Sequence, residues 1–298
     1  MRVTLIAFSV IVLVACDSRP PLPGGPSSVP DALRPAAPAA PTDTASGQPN
    51  TGPHGSHDVG AVVACGATIV SNTRLGHDLA CPAGGLVIGA DGITLDLNGH
   101  TISGADTGNG ITIIGRRHVS VVGGTVRNFA AGMLVMNSTG VLIKHDTLLE
   151  NTDGVDCQAG CAENTIKESE FRDNRARGVM LRSGSIRNEV KENTFAGNRV
   201  GVLLFGAVDT VVKENMISDS GLAGIRINVL ATGNLVKENR ASSNPAGIEF
   251  LVTPTGSARG NSVVENTLAA NACGLKGPTS GNTIRENKFQ GNGADSCA

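Results

Sequence analysis

The sequence predicts an all-β chain, a single-stranded right-handed parallel β-helix of about nine to ten coils. Three observations lead there. A motif of the form Asn-x-(Val/Ile)-x-Glu-Asn recurs at a period in the low twenties. Between its copies the apolar residues alternate in short runs of period two, with no stretch periodic enough for a helix. Gly accounts for 39 of 298 residues while Trp and Tyr are missing and Phe numbers 7, so small and aliphatic side chains must organise the core.

The motif occupies residues 188–193, 234–239, 261–266 and 282–287, with 210–215 and 164–169 as variants. Its last positions, Ser169, Asn193, Asn215, Asn239, Asn266 and Asn287, are separated by 24, 22, 24, 27 and 21 residues. Weaker copies around Ile143, Val121 and Leu97 extend the series toward the N-terminus. A period of this size admits several solenoids, so the content of the unit decides. Leucine-rich repeats need a Leu-x-x-Leu-x-Leu frame that this chain does not carry. Parallel coils about 4.8 Å apart remain, and nine of them make a rod of roughly 43 Å. Right-handedness follows from the crossover preference of parallel strands.

Stacked coils give the Asn column a role, because each amide can bond to the next coil while satisfying the corner backbone. A second column, Asn151, Asn174, Asn198, Asn244, Asn271 and Asn292, marks another corner. Gly154, Gly178, Gly201, Gly247 and Gly274 follow it and are expected to permit the tight turn into the next strand.

The N-terminus divides into two further regions. Residues 1–16 run from Met1-Arg2 through an apolar stretch too short to cross a membrane and end in Leu13-Val14-Ala15-Cys16. That ending resembles the lipobox of bacterial lipoproteins, and it implies lipidation of Cys16, hence an exported, membrane-anchored protein of the periplasm or cell surface. Residues 17–58 hold ten of the fourteen prolines without apolar periodicity, which reads as a disordered tether. His54 and His57 lie at its end and read as solvated. The β-helix domain then spans residues 59–298.

Setting Cys16 aside leaves six cysteines, which can pair completely in an oxidising compartment. Fifteen connectivities are open to them. Proximity in the chain suggests Cys65 with Cys81, Cys157 with Cys161, and Cys273 with Cys297.

The Asn-x-Ile-x-x-Asn and Asn-x-x-Gly-Ile-x-Leu units resemble the parallel β-helix repeats of the pectin-lyase-like superfamily, and residues 91–104 are similar to the first coils of many bacterial members. The resemblance covers about residues 60 to 298. It implies the fold, but it is weak for function, since that superfamily holds polysaccharide lyases, hydrolases, epimerases, phage tailspikes and periplasmic accessory proteins. Its enzymes usually carry the active site on the outer surface of a strand ladder, which directs attention to the strand Gly-(Val/Ile)-x-(Leu/Ile)-x.

One outward column of that strand reads Thr112, Leu134, Asp156, Met180, Leu203, Arg226, Glu249 and Lys276, and the next reads Met136, Gln158, Arg182, Phe205, Asn228 and Leu251. Asp156, Glu249, Arg182 and Arg226 are the catalytic candidates, as acid or base groups with an Arg to stabilise a sugar carboxylate. Asp156 and Glu249 lie four coils apart, roughly 19 Å, whereas a glycosidase pair needs about 5 to 9.5 Å. Arg226, Glu249 and Lys276 therefore read as a salt-bridge ladder. Leu134, Met136, Met180, Leu203 and Phe205, with Leu251, form a candidate apolar binding patch.

The Glu column at 168, 192, 214, 238, 265 and 286 runs beside Lys144, Lys167, Lys191, Lys213 and Lys237. Calcium is one reading of such a column, but interleaved opposite charges favour mutually neutralising ladders. His100, His118 and His145 are scattered over early coils. Cys157 and Cys161, with His145 one coil earlier, could bind copper, which would echo the β-helix accessory proteins of nitrous-oxide-reductase maturation, but a local disulfide is favoured. No metal and no cofactor is expected.

Without Tyr or Trp, Tyr-dependent lyase mechanisms and aromatic sugar platforms are excluded, and a net charge of −2 argues against nucleic acid. The sequence thus points to a non-catalytic binding or scaffold protein for a cell-envelope protein or glycan. A polysaccharide-active enzyme and a copper accessory protein are the alternatives.

Overall fold

A computed structural model describes residues 60–253 and 256–298. Cys16, the proposed tether 17–58, and His54 and His57 lie outside the described residues. Within them the chain is a right-handed parallel β-helix with no α-helix. Each coil contributes one strand to each of three sheets. The first sheet has eleven strands, from Thr68–Ile69 to Ala294–Cys297, and the other two have ten each. Every strand of these sheets pairs in parallel with strands one coil away. The exception to the regular plan is a short antiparallel hairpin, Val252–Thr253 with Gly256–Ser257, in the 27-residue coil between Asn239 and Asn266.

Three-residue strands dominate the second and third sheets, and period-two geometry turns only the central residue inward. In the second sheet this builds the column Val121, Ile143, Ile166, Val190, Val212, Val236 and Val263, all essentially sealed from solvent. In the third sheet Phe171 and Phe195 stack with ring centroids 4.7 Å apart. Burial of such columns is the main favourable term for a rod that exposes its whole outer surface.

The corner glycines serve a different purpose from the one expected. Gly178 does not have positive φ, so conformational freedom is not what it supplies. A Cβ there would lie 2.6 Å from the Phe195 ring and 2.7 Å from the carbonyl oxygen of Gly201. The column is glycine because the interior beside the stacked aromatics has no room for a methyl group.

Three amide ladders run along the rod, one per corner. Two are the columns visible in the sequence; in the second, Ser220 takes the place of one Asn, with its N–H donating to Asn244 Oδ1 and its hydroxyl buried without a partner. The third is formed by Asn164, Asn188, Thr210, Asn234, Asn261 and Asn282, the first residues of the repeated motif. The bonding at Asn239 is representative. The backbone N–H and the amide of Asn215 both donate to Asn239 Oδ1, at 3.1 and 2.9 Å, while Asn239 Nδ2 donates to Val212 O at 2.8 Å and to Asn266 Oδ1 at 3.0 Å. Removing one amide therefore orphans backbone groups as well as neighbouring side chains.

Asp146 occupies the N-terminal end of one ladder, in register with Ser169 and Asn193. Its Oδ1 accepts the N–H of Gly124 at 3.1 Å, but its Oδ2 is buried without a hydrogen-bond partner. Asn193 fills the equivalent place with an amide that donates to Ile166 O at 2.9 Å. Desolvation pushes the Asp146 carboxyl up to about 7, with a smaller contribution from Asp96, against hydrogen bonds from the backbone of Gly124, Lys144 and Gly123.

All six remaining cysteines are paired as proximity suggested, Cys65–Cys81, Cys157–Cys161 and Cys273–Cys297. The last pair joins strands of the final two coils.

Two predictions follow from the ladders. Asn239→Ala, in the middle of a ladder, should destabilise the fold by about 3 kcal/mol, and Asn292→Ala, in the half-exposed last coil, by about 1 kcal/mol, as read from urea midpoints. A ratio near one would mean that the ladder is not cooperative. The second concerns Asp146, whose folded carboxyl titrates above its unfolded value. Its contribution is full below about pH 4 and is lost as pH rises through about 7, a change of about 4 kcal/mol. Asp146→Asn should match the parent chain near pH 4 and exceed it at pH 8, and equal midpoints at both pH values would remove the carboxyl from the account.

Candidate functional site: the outer face of the first sheet

The first sheet has the longest strands, of five or six residues through the middle coils, so it alone presents three outward columns. Strand pairing places Thr112, Leu134, Asp156, Met180, Leu203, Arg226, Glu249 and Lys276 in one column, as the sequence predicts. Gln158 follows Met136 in the next column. A column missed at the sequence level lies three residues earlier and runs through Asn109, Ala131, Asp153, Arg177 and Val200. Its signal was present, since Asp153 and Arg177 are 24 residues apart, one coil, directly before the Gly of each strand.

The side chains of this face arrange themselves with acids below and bases above. Arg177 donates from Nε and Nη2 to the two oxygens of Asp153, both at 2.6 Å. Arg182 makes the same fork onto Asp156 at 2.7 and 3.0 Å, and Gln158 donates to Asp156 Oδ2 at 2.8 Å. Arg226 Nε stands 2.7 Å from Glu249 Oε2 in an ion pair whose angle is not that of a hydrogen bond, and Lys276 Nζ is 3.2 Å from Glu249 Oε1. Side-chain exposure is 7% for each of the three carboxylates, against 26% for Arg177, 38% for Arg182, 23% for Arg226 and 42% for Lys276.

This packing limits the chemistry. Asp156 and Glu249 stay four coils apart, and each is already occupied by cations. Arg182 would have to lose a proton to act as a lyase base, but its hydrogen bonds to Asp156 raise its pKa further above the ordinary guanidinium value. Arg226 is ion-paired to a buried carboxylate. The four catalytic candidates thus fall into two separate ion-pair groups.

The apolar patch is not one exposed surface. Met180 and Leu203 are buried and cluster with Val200 and Leu222 outside the main core. Leu134, Met136 and Leu251 are half-buried, and Phe205 is 39% exposed. Long arginines from neighbouring coils share this face, which period-two counting cannot register.

Other concavities offer less. A depression of about 430 Å³ beside the first coils is lined by residues such as Pro82, Gly84, Gly85, Leu86 and Val87 and has no acid or base in its wall. Along a corner of the second sheet, Glu168 meets His145 Nε2 at 2.5 Å, Lys167 at 3.1 Å and Lys144 at 3.2 Å, and the Lys167 hydrogen bond leads in holding its carboxyl down at about 2. Cys157 and Cys161 are joined to each other inside the coil, and His145 lies half-exposed on an outer corner. The three do not form a copper site. Among the described residues no group of three or more His, Cys, Asp or Glu is gathered as metal ligands.

The profile of a family described as periplasmic copper-binding protein (NosD) matches residues 91–272, more than half of the chain. No curated protein matches it by sequence. Solved structures share its fold. The periplasmic alginate epimerase AlgG superposes with a TM-score of 0.61 at 17% identity over 74% of this chain, which spans 61% of the epimerase. An alginate lyase from Paenibacillus sp. gives 0.56 at 14% identity, over 78% of this chain and 91% of the lyase. The surface adhesin PfbA of Streptococcus pneumoniae gives 0.53 at 15%, over 75% of this chain and 71% of the adhesin. At these identities the likeness establishes the fold alone.

Breaking one member of a buried pair costs more than removing both. Arg182→Ala should destabilise the chain by about 2 to 3 kcal/mol, and Asp156→Ala/Arg182→Ala by about 1 kcal/mol. If chemical denaturation finds the double variant worse than the single, Asp156 does not depend on Arg182 for its charge.

Proposed function

The chain belongs to the NosD family, and from that premise we propose that it is an extracytoplasmic, lipid-anchored β-helix that binds a cell-envelope glycan or protein through the outer face of its first sheet without chemically converting it. The observation that carries this reading is the state of the carboxylates. Asp153, Asp156 and Glu249 are each buried under and paired with a cation, so this face can hold a ligand but offers no carboxylate free to take or give a proton. The anchor would be Cys16, and nucleic acid is not among the expected partners.

Three disulfides and the family's periplasmic description agree with an oxidising compartment outside the cytoplasm. Copper, which the same description implies, does not fit the donors of residues 60–253 and 256–298. Their cysteines are consumed in disulfides, and two lysines stand where a metal at His145 and Glu168 would be. The copper reading therefore gains no support from this face or from that corner.

The test is incubation of the purified chain with uronic-acid polysaccharides while absorbance at 235 nm and new reducing ends are followed. Neither should rise. Absorbance growth abolished by Arg182→Ala or Arg226→Ala would instead make the chain a lyase.

A further inference from the structure

The acids-below, bases-above packing of the first sheet has a definite polarity toward solvent. From it we infer that the ligand of this face is a linear carboxylated polysaccharide, held by Arg177, Arg182, Arg226 and Lys276. The inference rests on the proposed binding role of the same face and names its ligand class.

A surface of ordinary ion pairs shows both signs to water and attracts neither sign strongly. Here the carboxylates of Asp153, Asp156 and Glu249 are largely covered, while their partners stay three to six times more exposed. Glu249 is also shared by two cations, so its group carries one excess positive charge.

Orientation adds to charge. Arg177 and Arg182 both use Nε and Nη2 for their forks, and no protein group among the described residues accepts a hydrogen bond from either Nη1. Each fork fixes a planar guanidinium with its far edge free. Such an edge suits an incoming carboxylate and has already lost the rotamer freedom that binding would otherwise remove.

Spacing then selects a chain over a small anion. Arg177 and Arg182 flank one coil, Arg226 lies two coils further on, and Lys276 two beyond that. At about 4.8 Å per coil the cations recur every ~9.6 Å along the rod axis, in three neighbouring columns, and extend over ~19 Å of it. One small anion cannot span that track, whereas a polymer with regularly repeated carboxylates can. A depression on this face lies at its N-terminal end, lined by Asn109 and Thr112 and away from these four cations.

The experiment uses the full chain in detergent micelles, immobilised, with polygalacturonate, alginate, neutral dextran and poly-glutamate as probes. Both polyuronates should bind, more weakly as salt rises, and dextran should not. Lys276→Gln leaves Glu249 paired with Arg226, and Asp153→Ala/Arg177→Ala removes a whole ion pair, so neither leaves a buried charge alone. Each should weaken polyuronate binding about tenfold with an unchanged circular dichroism spectrum. Absence of polyuronate binding by the folded chain, or parent-like binding by both variants, overturns the inference, as does binding of poly-glutamate as tight as that of the polyuronates. Failure of the parent reading looks different: polyuronate would be bound and then converted, with absorbance rising at 235 nm, whereas no binding and no conversion removes only the ligand class.

Discussion

Everything in this rod depends on how a stack of short strands disposes of the polar backbone at its corners. A coil that turns three times in about 23 residues cannot satisfy its bends within itself, because neighbouring backbone groups there point along the axis rather than along the turn. The buried amides solve this by bonding coil to coil, each accepting from the coil before it and donating back to that coil's carbonyl. Because the same side chain serves two coils, register and corner satisfaction are one constraint. The valine and isoleucine columns then need only fill the volume that the ladders define.

The ladders also explain where the chain tolerates unfavourable backbone. Glu192, Glu214, Glu238 and Glu265, each just before a ladder Asn, adopt left-handed φ between 55 and 57°, a conformation that costs a side chain about 1 kcal/mol. Their carboxylates project outward, and Lys237 pairs with both Glu238 and Glu265. The corner geometry is imposed by the amide behind it, and the charged residue in front is fitted to what remains. This is why the acidic column is regular.

Much of this was legible in the sequence. Two ladders showed as Asn columns, the strand register of the first sheet followed from counting, and the cysteine pairs followed from proximity. The third ladder is the first Asn of the repeated motif, whose spacing alone marks a repeat and does not distinguish a corner from a strand position. Burial on the outer face was not legible. Met180 and Leu203 occupy outward positions, yet they are buried, because they pack with Val200 and Leu222 into a second apolar cluster outside the core, which period-two counting does not contain. Asp153 and Arg177 are hidden from counting for a related reason: they precede the glycine at which the alternating apolar pattern begins. The role of that glycine is equally hidden, since the Phe195 ring beside Gly178, and not the glycine's own dihedrals, decides it.

The hairpin at Val252–Thr253 and Gly256–Ser257 lengthens one coil, yet the amides on either side of it still meet, with the N–H of Asn239 donating to Asn266 Oδ1 at 2.9 Å. Extra residues leave at one corner and return without the next coil sensing them. The rod therefore behaves as a chassis with ports: a recognition loop can be lengthened, exchanged or acquired at such a corner while the scaffold beneath keeps its pitch, so that descendants of one solenoid can diverge in what they grip without having to refold around each change.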